Sequence, residues 1–266
     1  MSNLSEVSET LFIPMEARIY ASKKFPNILN DKMALTLESK LPKDKIGHQN
    51  QSQYTLMASA VRSMNMDRYI KDFLTRNNDG VIVELGIGLE TSFYRSNDKN
   101  TWYGIDLPPV IDYRDELITP DERQILIKGS IFDNKLLDDL NKKINDKPVL
   151  FVASGLLYYF EKDDVINLLK KLKEFKNSEI VFDTVSKSGM KLTRKYMKQI
   201  GHDDAKMYFY VEDINELVNE VKDIEVLDYQ KFYSNTDKKG MNFITKASMV
   251  ISDLLFMVKM IHLRLN

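Results

Sequence analysis

The pattern of hydrophobic and polar positions divides the chain into two parts. Residues 1–80 contain no run of β-branched residues, but they do contain helix-compatible stretches at Ile13–Lys24, Asp31–Ser39 and about Asn50–Arg76. Short, continuous apolar runs, which are typical of buried strands, begin only after this region. We therefore predict a helical N-terminal cap over residues 1–80 and a strand-containing domain over residues 81–266.

Beyond residue 80, strand-like and helix-like segments alternate, which indicates right-handed crossovers and a mainly parallel sheet. The predicted strands are Val81–Leu85, Trp102–Asp106, Ile125–Lys128, Val149–Ala153, Ile180–Asp183, Glu225–Phe232 and an antiparallel Lys259–Leu265. The predicted helices begin at Pro108 or cover Asn134–Ile144, Glu161–Lys176, Lys187–Gln199 and Val211–Val221, with one more before the last strand. The predicted fold class is thus α/β, a doubly wound and mostly parallel seven-stranded sheet with a helical N-terminal cap.

Composition excludes several classes of site without naming a function. The 266 residues are 43% hydrophobic and 29% charged, which suits one α/β domain with an added cap. The net charge of −1 gives no reason to expect a nucleic-acid or membrane partner. The chain has no cysteine, and His48, His202 and His262 lack metal-ligand spacing, so we expect no disulfide and no metal site.

The two ends of the sequence bear on its location in the cell. The first residues lack a basic region followed by an apolar stretch, and charged residues interrupt the apolar segment Met249–Leu265. We therefore expect a cytoplasmic protein.

A glycine turn and an acidic residue suggest a site for a nucleoside. The run Val81–Leu85 ends in Gly86-Ile-Gly88, and Asp106 ends the next predicted strand, where a carboxylate can accept hydrogen bonds from ribose hydroxyls. The third glycine of a dinucleotide motif is replaced by Thr91, preceded by Glu90. Since Glu90 would repel a pyrophosphate but suit an ammonium and a sulfonium, the turn favours S-adenosyl-L-methionine over NAD.

Several segments together resemble the leucine carboxyl methyltransferase family. Glu84–Arg95 is similar to its first motif, Gly104–Arg114 to its Asp-Leu-Pro-x-Val-Ile-x-x-Arg and Phe151–Phe160 to its Ala-Glu-Gly-x-Leu-x-Tyr segment. Glu9–Arg18 and Ile261–Leu265 also look like bacterial members. The resemblance implies a class I methyltransferase fold, which is Rossmann-like, with S-adenosylmethionine as the cofactor.

The resemblance also implies roles for particular residues. Arg62 matches the arginine that pairs with the methionine carboxylate of the cofactor, and Arg18 corresponds to a second basic residue there. Ser130 and Ile131 fall where the family contacts adenine, and Tyr159 fits a tyrosine of the pocket wall. A solvated arginine, turn residues and a core aromatic are the plainer readings of these positions. The predicted cofactor-binding residues are Arg62, Glu84, Gly86, Gly88, Asp106, Ser130, Ile131, Ser154 and Tyr159.

Two other acidic residues stand at predicted strand ends. Asp133 and Asp183 are each interpreted as helix caps, and no catalytic residue is identified.

Two departures from the family pattern and one rival motif leave alternatives open. Ser92 stands where the family commonly has arginine, and Ser154 where it commonly has glutamate, so a non-catalytic cofactor-binding module is one alternative. Tyr158 and Lys162 match the Tyr-x-x-x-Lys of short-chain dehydrogenases, which would make the chain an NAD(P)-dependent oxidoreductase. That chemistry needs a serine about a dozen residues upstream, where this chain has Asp146.

The chemistry expected of such an enzyme is undemanding. A carboxylate acceptor is already ionised at neutral pH, so its methylation needs no base, and positioning alone can supply roughly 7–11 kcal/mol. No docking surface for a large protein substrate is evident in the sequence. We therefore predict an O-methyltransferase that methylates a carboxylate of a small molecule.

Overall fold

The computed structural model of the protein describes residues 10–43, 51–199 and 206–266 and shows a seven-stranded sheet with helices on both faces. The strands are β1 (Val81–Leu85), β2 (Trp102–Asp106), β3 (Gln124–Lys128), β4 (Val149–Ala153), β5 (Ser178–Val185), β6 (Glu225–Lys231) and β7 (Val258–Arg264). The helices are α1 (Phe12–Lys24), α2 (Lys32–Leu37), α3 (Gln53–Arg76), α4 (Ser92–Arg95), α5 (Pro108–Leu117), α6 (Asn134–Ile144), α7 (Lys162–Leu172), α8 (Lys187–Gln199), α9 (Ile214–Val221) and α10 (Phe243–Leu254). Two short 3-10 helices cover Glu38–Lys40 and Leu157–Tyr159.

The strand order is β3-β2-β1-β4-β5-β7-β6. The pairs from β3 to β5 are parallel, whereas β7 lies antiparallel between β5 and β6. This arrangement confirms the predicted seven-stranded, mostly parallel sheet with a reversed last strand. It also brings the carboxyl ends of the five parallel strands to one edge of the sheet, where ligands bind in open α/β sheets.

Strands β1, β2 and β4 and helices α6 and α8 have the predicted bounds, whereas other elements are shifted, and hydrogen bonds explain two of the shifts. Helix α9 begins at Ile214 rather than Val211, because the Asp213 side chain accepts the amide hydrogen of Asn215 and caps it. Strand β5 continues past Asp183 to Val185, because its last residues pair with β7. The predicted start of α3 at Asn50 lies outside the described residues.

The core has one apolar layer on each face of the sheet. One layer packs α6, α7 and α9 against the sheet, and the other packs α3 and α10 against it. Met57, Tyr69 and Phe73 of α3 share the second layer with Ile82 of β1 and Val181 of β5. Helix α3, which belongs to the predicted N-terminal cap, is thus part of the sheet's own core. The division of the chain into two domains at residue 80 stays a prediction.

The described residues offer neither a membrane span among their helices nor a metal-binding group of side chains. Within residues 10–43, 51–199 and 206–266, no helix is both long and apolar enough to cross a bilayer. The same ranges hold no group of three or more histidine, cysteine, aspartate or glutamate side chains placed to bind a metal ion. His48 and His202 lie outside those ranges, as does Glu9.

Candidate functional site

A cavity of about 500 Å³ lies at the carboxyl ends of the parallel strands, between the sheet and the first helices. Its wall includes residues from the turns after β1, β2, β3 and β4, together with residues of α1, α3 and α8. All nine residues predicted to bind the cofactor line this cavity: Arg62, Glu84, Gly86, Gly88, Asp106, Ser130, Ile131, Ser154 and Tyr159. The fold thus gathers into one space residues that are up to 97 positions apart (159 − 62).

The glycine turn after β1 needs its glycines for two reasons. Gly86 and Gly88 have φ angles of 62° and 47°, in the left-handed region that side chains rarely adopt. A Cβ atom on Gly86 would also lie 2.5 Å from Cδ1 of Leu156. Glycine therefore lets the backbone turn tightly at the cavity wall.

Asp106, at the end of β2, is tied to this turn. Its Oδ2 accepts the amide hydrogen of Gly88 and its Oδ1 that of Leu107, both at 2.8 Å. Burial raises the pKa of Asp106, and these two hydrogen bonds oppose that effect. An ionised carboxylate has about four lone-pair sites, so the half-buried group can still accept hydrogen bonds from a diol.

The turn after β3 places Ser130 and Ile131 at the cavity. Ser130 Oγ accepts the amide hydrogen of Phe132 at 3.2 Å, and its carbonyl accepts that of Asp133 at 3.0 Å. The Asp133 side chain in turn caps α6 by accepting the amide hydrogens of Lys135 and Leu136, as predicted. Ser130 and Ile131 are therefore turn residues that also present atoms to the cavity.

Asp183 is not the helix cap that the sequence suggested. It lies inside β5, and its side chain is fully buried. Its Oδ2 accepts hydrogen bonds from Arg62 Nε at 2.7 Å and from the Tyr158 hydroxyl, while Oδ1 accepts the amide hydrogen of Gly155 at 2.7 Å. Asp183 therefore fixes Arg62, Tyr158 and the backbone after β4, and sequence analysis missed this role because the partners are distant in the chain.

The electrostatics of this group keep Arg62 charged. Burial alone would lower the pKa of Arg62, but the Asp183 carboxylate outweighs burial and raises it. Burial and the same carboxylate raise the pKa of Tyr158 well above its usual value. Asp183 holds Nε of Arg62, and the Arg62 guanidinium lies in the wall of the cavity.

Glu84, in β1, has a different environment. Its Oε1 accepts a hydrogen bond from the Ser92 hydroxyl, whereas its Oε2 has no hydrogen-bond partner among the described residues. Burial, and to a lesser extent the neighbouring Glu90, raise the pKa of Glu84 to about 7. Ser92 thus contacts Glu84 directly but brings no charge to a position where the family motif has arginine.

Glu90, the carboxylate beside the glycine turn, is paired with two arginines. Arg18 Nη1 donates to its Oε2 and Arg95 Nη2 to its Oε1, both at 3.0 Å. Although burial opposes ionisation, these two guanidinium groups lower the pKa of Glu90 to about 2. Arg18 is itself 1% exposed and also donates to the Leu89 carbonyl at 2.7 Å, so it holds the turn in place.

Arg95 joins the turn to the N-terminal helices. It donates to Asp31, the cap of α2, at 2.6 Å, and to Asp67 of α3 at 2.7 and 2.8 Å. We call Arg18, Asp31, Asp67, Glu90 and Arg95 the ionic cluster. It holds α1, α2 and α3 against the glycine turn.

Arg114 has a structural role that the sequence did not reveal. It stands at the end of the motif Gly104–Arg114, it is 1% exposed, and its Nη1 donates to the carbonyls of Gly88 at 3.0 Å and Glu90 at 2.7 Å. Burial lowers its pKa. Its place at the end of the motif that contains Asp106 was the available signal for a contact with the turn.

The dehydrogenase motif does not form in three dimensions. The Tyr158 hydroxyl donates to Asp183, while Lys162 Nζ pairs with Glu220 Oε1 at 2.6 Å on the surface. A short-chain dehydrogenase needs that lysine in the site, so the oxidoreductase alternative is wrong. Tyr159, in contrast, lines the cavity, and its hydroxyl is hydrogen-bonded to Thr10 near the start of α1.

Much of the cavity wall outside the predicted cofactor-binding residues is apolar. We call this apolar part of the wall the acceptor end, and it consists of Ile13, Pro14, Ala58, Val185, Leu192, Met197, Met207, Phe232, Tyr233 and Met257. Methionine side chains adapt to irregular shapes, and aromatic rings offer flat surfaces. This end suits an apolar, ring-containing molecule better than a strongly hydrated one.

The chain is similar in sequence to known proteins. The sequence pattern of the leucine carboxyl methyltransferase family matches residues 13–173. The tetracenomycin polyketide synthesis O-methyltransferase TcmP of Streptomyces glaucescens is 25% identical over 185 residues, which cover 68% of this chain and 67% of that protein. The S-adenosyl-L-methionine-dependent methyltransferase dpfgK of Gibberella zeae is 26% identical over 239 residues, 82% of this chain and 80% of that protein.

Solved structures support the fold. Magnesium protoporphyrin IX methyltransferase of Synechocystis PCC 6803, solved with bound S-adenosylhomocysteine, superposes with a TM-score of 0.50 at 9% identity. The superposition covers 93% of this chain and 99% of that one. At this identity the likeness concerns the fold alone.

Proposed function

Because the chain belongs to the leucine carboxyl methyltransferase family, and is therefore a methyltransferase that uses S-adenosylmethionine, we propose that it methylates a carboxylate oxygen of a small molecule. The observation that carries this proposal is the lack of a ready base at the acceptor end. Among the described residues, the cavity wall contains no lysine and no histidine, and burial raises the pKa values of Tyr158, Tyr159 and Tyr233. A carboxylate needs no base to accept a methyl group, whereas a hydroxyl does.

The strand ends fit the cofactor. The Glu84 carboxyl has one buried oxygen without a partner at the cavity wall, and a cationic ligand would satisfy it. We propose that Asp106 accepts hydrogen bonds from the ribose, that Arg62 pairs with the methionine carboxylate, and that Ser130 and Ile131 contact the adenine. The other predicted residues, Gly86, Gly88, Ser154 and Tyr159, would contact the cofactor along the turn and the methionine end.

The chain's own contribution to catalysis would be positioning. S-adenosylmethionine, when bound, supplies a methyl group on a positively charged sulfur. The apolar acceptor end excludes water and orients the acceptor, and Asp183 keeps Arg62 from moving. Alignment of this kind can supply roughly 7–11 kcal/mol of the barrier.

The acceptor's size and class rest on the relatives and on the cavity. TcmP is named for the synthesis of a polyketide, and the acceptor end offers apolar and aromatic surface. We propose a small, ring-containing carboxylic acid as the acceptor.

A hydroxyl acceptor is the second candidate, and one observation favours it. Glu84, with a pKa of about 7, is a group at the cavity wall that could take a proton at neutral pH. It lies beside Ser92 and the glycine turn, however, rather than at the acceptor end. The two candidate functions therefore give Glu84 different roles: a contact of the cationic cofactor in carboxylate methylation, and a base in hydroxyl methylation.

The deciding experiment uses S-adenosylmethionine with a labelled methyl group and a panel of aromatic polyketide-like acids, each matched with an analogue that has only phenolic hydroxyls. A product that loses its label in mild base is an ester and supports the proposal. A base-stable ether, together with loss of turnover in Glu84→Gln and loss of a pH-rate limb near 7, would move the function to hydroxyl methylation. Glu84→Gln should instead leave ester formation at saturating cofactor within about threefold, since no base is needed.

A further inference from the structure

Helix α10 exposes most of its large apolar side chains. Phe243, Ile244 and Leu254 are 84%, 74% and 72% exposed, and Val250, Ile251 and Leu255 are about half exposed. The same helix buries Thr245, Met249 and Ser252, at 1%, 0% and 2% exposure. Six of the eleven exposed large hydrophobic side chains among the described residues fall in this short segment, so the exposure is concentrated and not random.

The outward side chains form one continuous stripe. With 3.6 residues per turn, the stripe spans an arc of about 140° around the helix. We call it the α10 stripe, and it consists of Phe243, Ile244, Ala247, Val250, Ile251, Leu254 and Leu255. Lys246 and Asp253 lie along one edge of the stripe, two helical turns apart, and no charged residue lies within it.

The charges on α10 argue against a lipid surface as the partner. A helix that lies on a membrane carries many lysine and arginine residues beside its apolar face. Helix α10 carries one, Lys246, and Asp253 balances it. A protein surface with a matching arrangement is the better partner.

A second copy of the chain provides that match. In two α10 helices packed antiparallel about a two-fold axis, the numbers of residues that lie side by side have a constant sum. The charged edge of one helix then lies beside the same edge of the other, and pairing Lys246 with Asp253 sets the sum at about 499. Lys246 then faces Asp253 of the second copy at both ends, and Ile244 meets Leu254 while Ala247 meets Ile251. Neither Lys246 Nζ nor Asp253 Oδ2 has an ion-pair partner among the described residues, and Asp253 Oδ1 accepts the amide hydrogen of Tyr233.

We propose that the chain forms a two-fold symmetric homodimer through the α10 stripe, with the two helices antiparallel. Apolar side chains are buried from water in the centre of this interface. The Lys246–Asp253 pairs fix the relative direction and the register of the two helices. Because Ser252 and Met257 line the cavity, the interface would lie directly behind one wall of the site.

Sedimentation velocity over a wide range of protein concentration tests the dimer first. The parent should approach twice its 31.0 kDa chain mass, and Ile251→Lys should weaken association at least about tenfold. Val226→Lys is the matched control, since Val226 is also exposed but lies on β6, and it should dimerise like the parent. Circular dichroism and thermal unfolding verify that each variant is folded.

Cysteine cross-linking tests the direction, because the natural chain has no cysteine. In the antiparallel dimer, two copies of Ile251→Cys lie about 4.5 Å apart along the axis, and two copies of Phe243→Cys about 20 Å apart. A disulfide requires Cα atoms within about 7 Å, so mild oxidation should link only the first variant. Linking of both variants means a parallel or non-specific contact and overturns the proposal.

A parent that stays at 31.0 kDa at every concentration also overturns it. In that case, co-sedimentation with phosphatidylcholine–phosphatidylglycerol vesicles, abolished in Ile251→Lys, would assign the stripe to a lipid surface.

Reversing one charge and then neutralising the other checks the register of the two helices in the dimer. Lys246→Glu should weaken association, and adding Asp253→Asn, which keeps an acceptor for the Tyr233 amide, should restore part of it.

Discussion

Two buried carboxyl groups, Asp183 in β5 and Glu84 in β1, stand on either side of β4 near the cavity and behave differently. Asp183 accepts hydrogen bonds from Arg62, Tyr158 and the Gly155 amide. Glu84 accepts one, from Ser92, and leaves Oε2 without a partner among the described residues. Burial is nearly the same, at 1% and 3% exposure, so the number of donors makes the difference.

Asp183 is held in one position by its donors, whereas Glu84 can change its protonation state. Asp183 is held by a guanidinium and two other donors, and it positions them in return. Glu84 has a pKa of about 7, so near neutral pH it can exist with or without its proton. Ser154 directly follows β4, the strand that lies between β1 and β5.

Removal of Asp183 should have the largest effect. Asp183→Ala leaves the Arg62 guanidinium, the Tyr158 hydroxyl and the Gly155 amide without their acceptor, and should lower the free energy of unfolding by about 3–5 kcal/mol. Urea denaturation measures it. Asp133→Ala is the control and removes only a helix cap, at a cost of about 1 kcal/mol. Equal losses in the two variants would show that Asp183 is an ordinary cap-like residue.

The pH dependence of stability should reveal Glu84. Its pKa is about 4.5 when unfolded and about 7 when folded, so the folded state binds the extra proton between these values. Stability from this group is therefore fully present below pH 4.5 and is lost as the pH rises to about 7, by on the order of 3 kcal/mol.

The measurement compares the parent with Glu84→Gln, without cofactor, at several pH values. The variant should gain stability relative to the parent as the pH rises from about 4.5 to about 7, and then no further. Glu90 and Glu179, with pKa values of about 2, change stability only at lower pH and leave this window clear. A constant difference across the window would mean that Glu84 stays ionised, and the contrast with Asp183 would fail.

Asp106, the carboxylate at the end of β2, extends the contrast to ligand binding. Asp106→Ala should weaken S-adenosylhomocysteine binding by roughly 1.5–3 kcal/mol, since hydrogen bonds to a charged acceptor are lost. Isothermal titration measures it. Asp112→Ala, which removes an exposed partner of Lys128, should bind like the parent. Unchanged affinity in Asp106→Ala would place the ribose elsewhere.

The smallest effect is expected at position 154. Ser154→Glu adds a charge between Glu84 and Asp183, and the repulsion should lower kcat/KM about tenfold, or about 1.4 kcal/mol. Ser154→Ala should change it by no more than about 0.5 kcal/mol. A gain of turnover in Ser154→Glu would mean that serine impairs the site, and that the glutamate typical of the family is the better residue here.

The sequence was sufficient where function depends on local pattern. The strands, the glycine turn and Asp106 follow from apolar runs and from residues next to each other in the chain, and all nine predicted residues line the cavity. It was insufficient where the partner is distant. Asp183 and Arg62 are 121 positions apart, and the end of β5 could not be located without knowing that β7 pairs with it.

Glu90 shows the same limit in its electrostatics. Its charge was visible in the sequence, but Arg18 lies 72 positions away and the pairing depends on how α1 packs. The outward stripe of α10 was also invisible. Apolar residues at helical spacing predict a helix with an apolar face, yet the spacing does not say whether that face points toward the sheet or away from it.

The ionic cluster affects how the protein opens locally. Arg95 contacts Asp31 near α2, Asp67 of α3 and Glu90 of the glycine turn, and it is 7% exposed. If one of these parts separates, charges are left unpaired in a dry interior, so the three should open as one cooperative unit. Their amide hydrogens should then exchange with solvent at a common free energy, and a ligand would reach the strand ends by a route that leaves this joint closed.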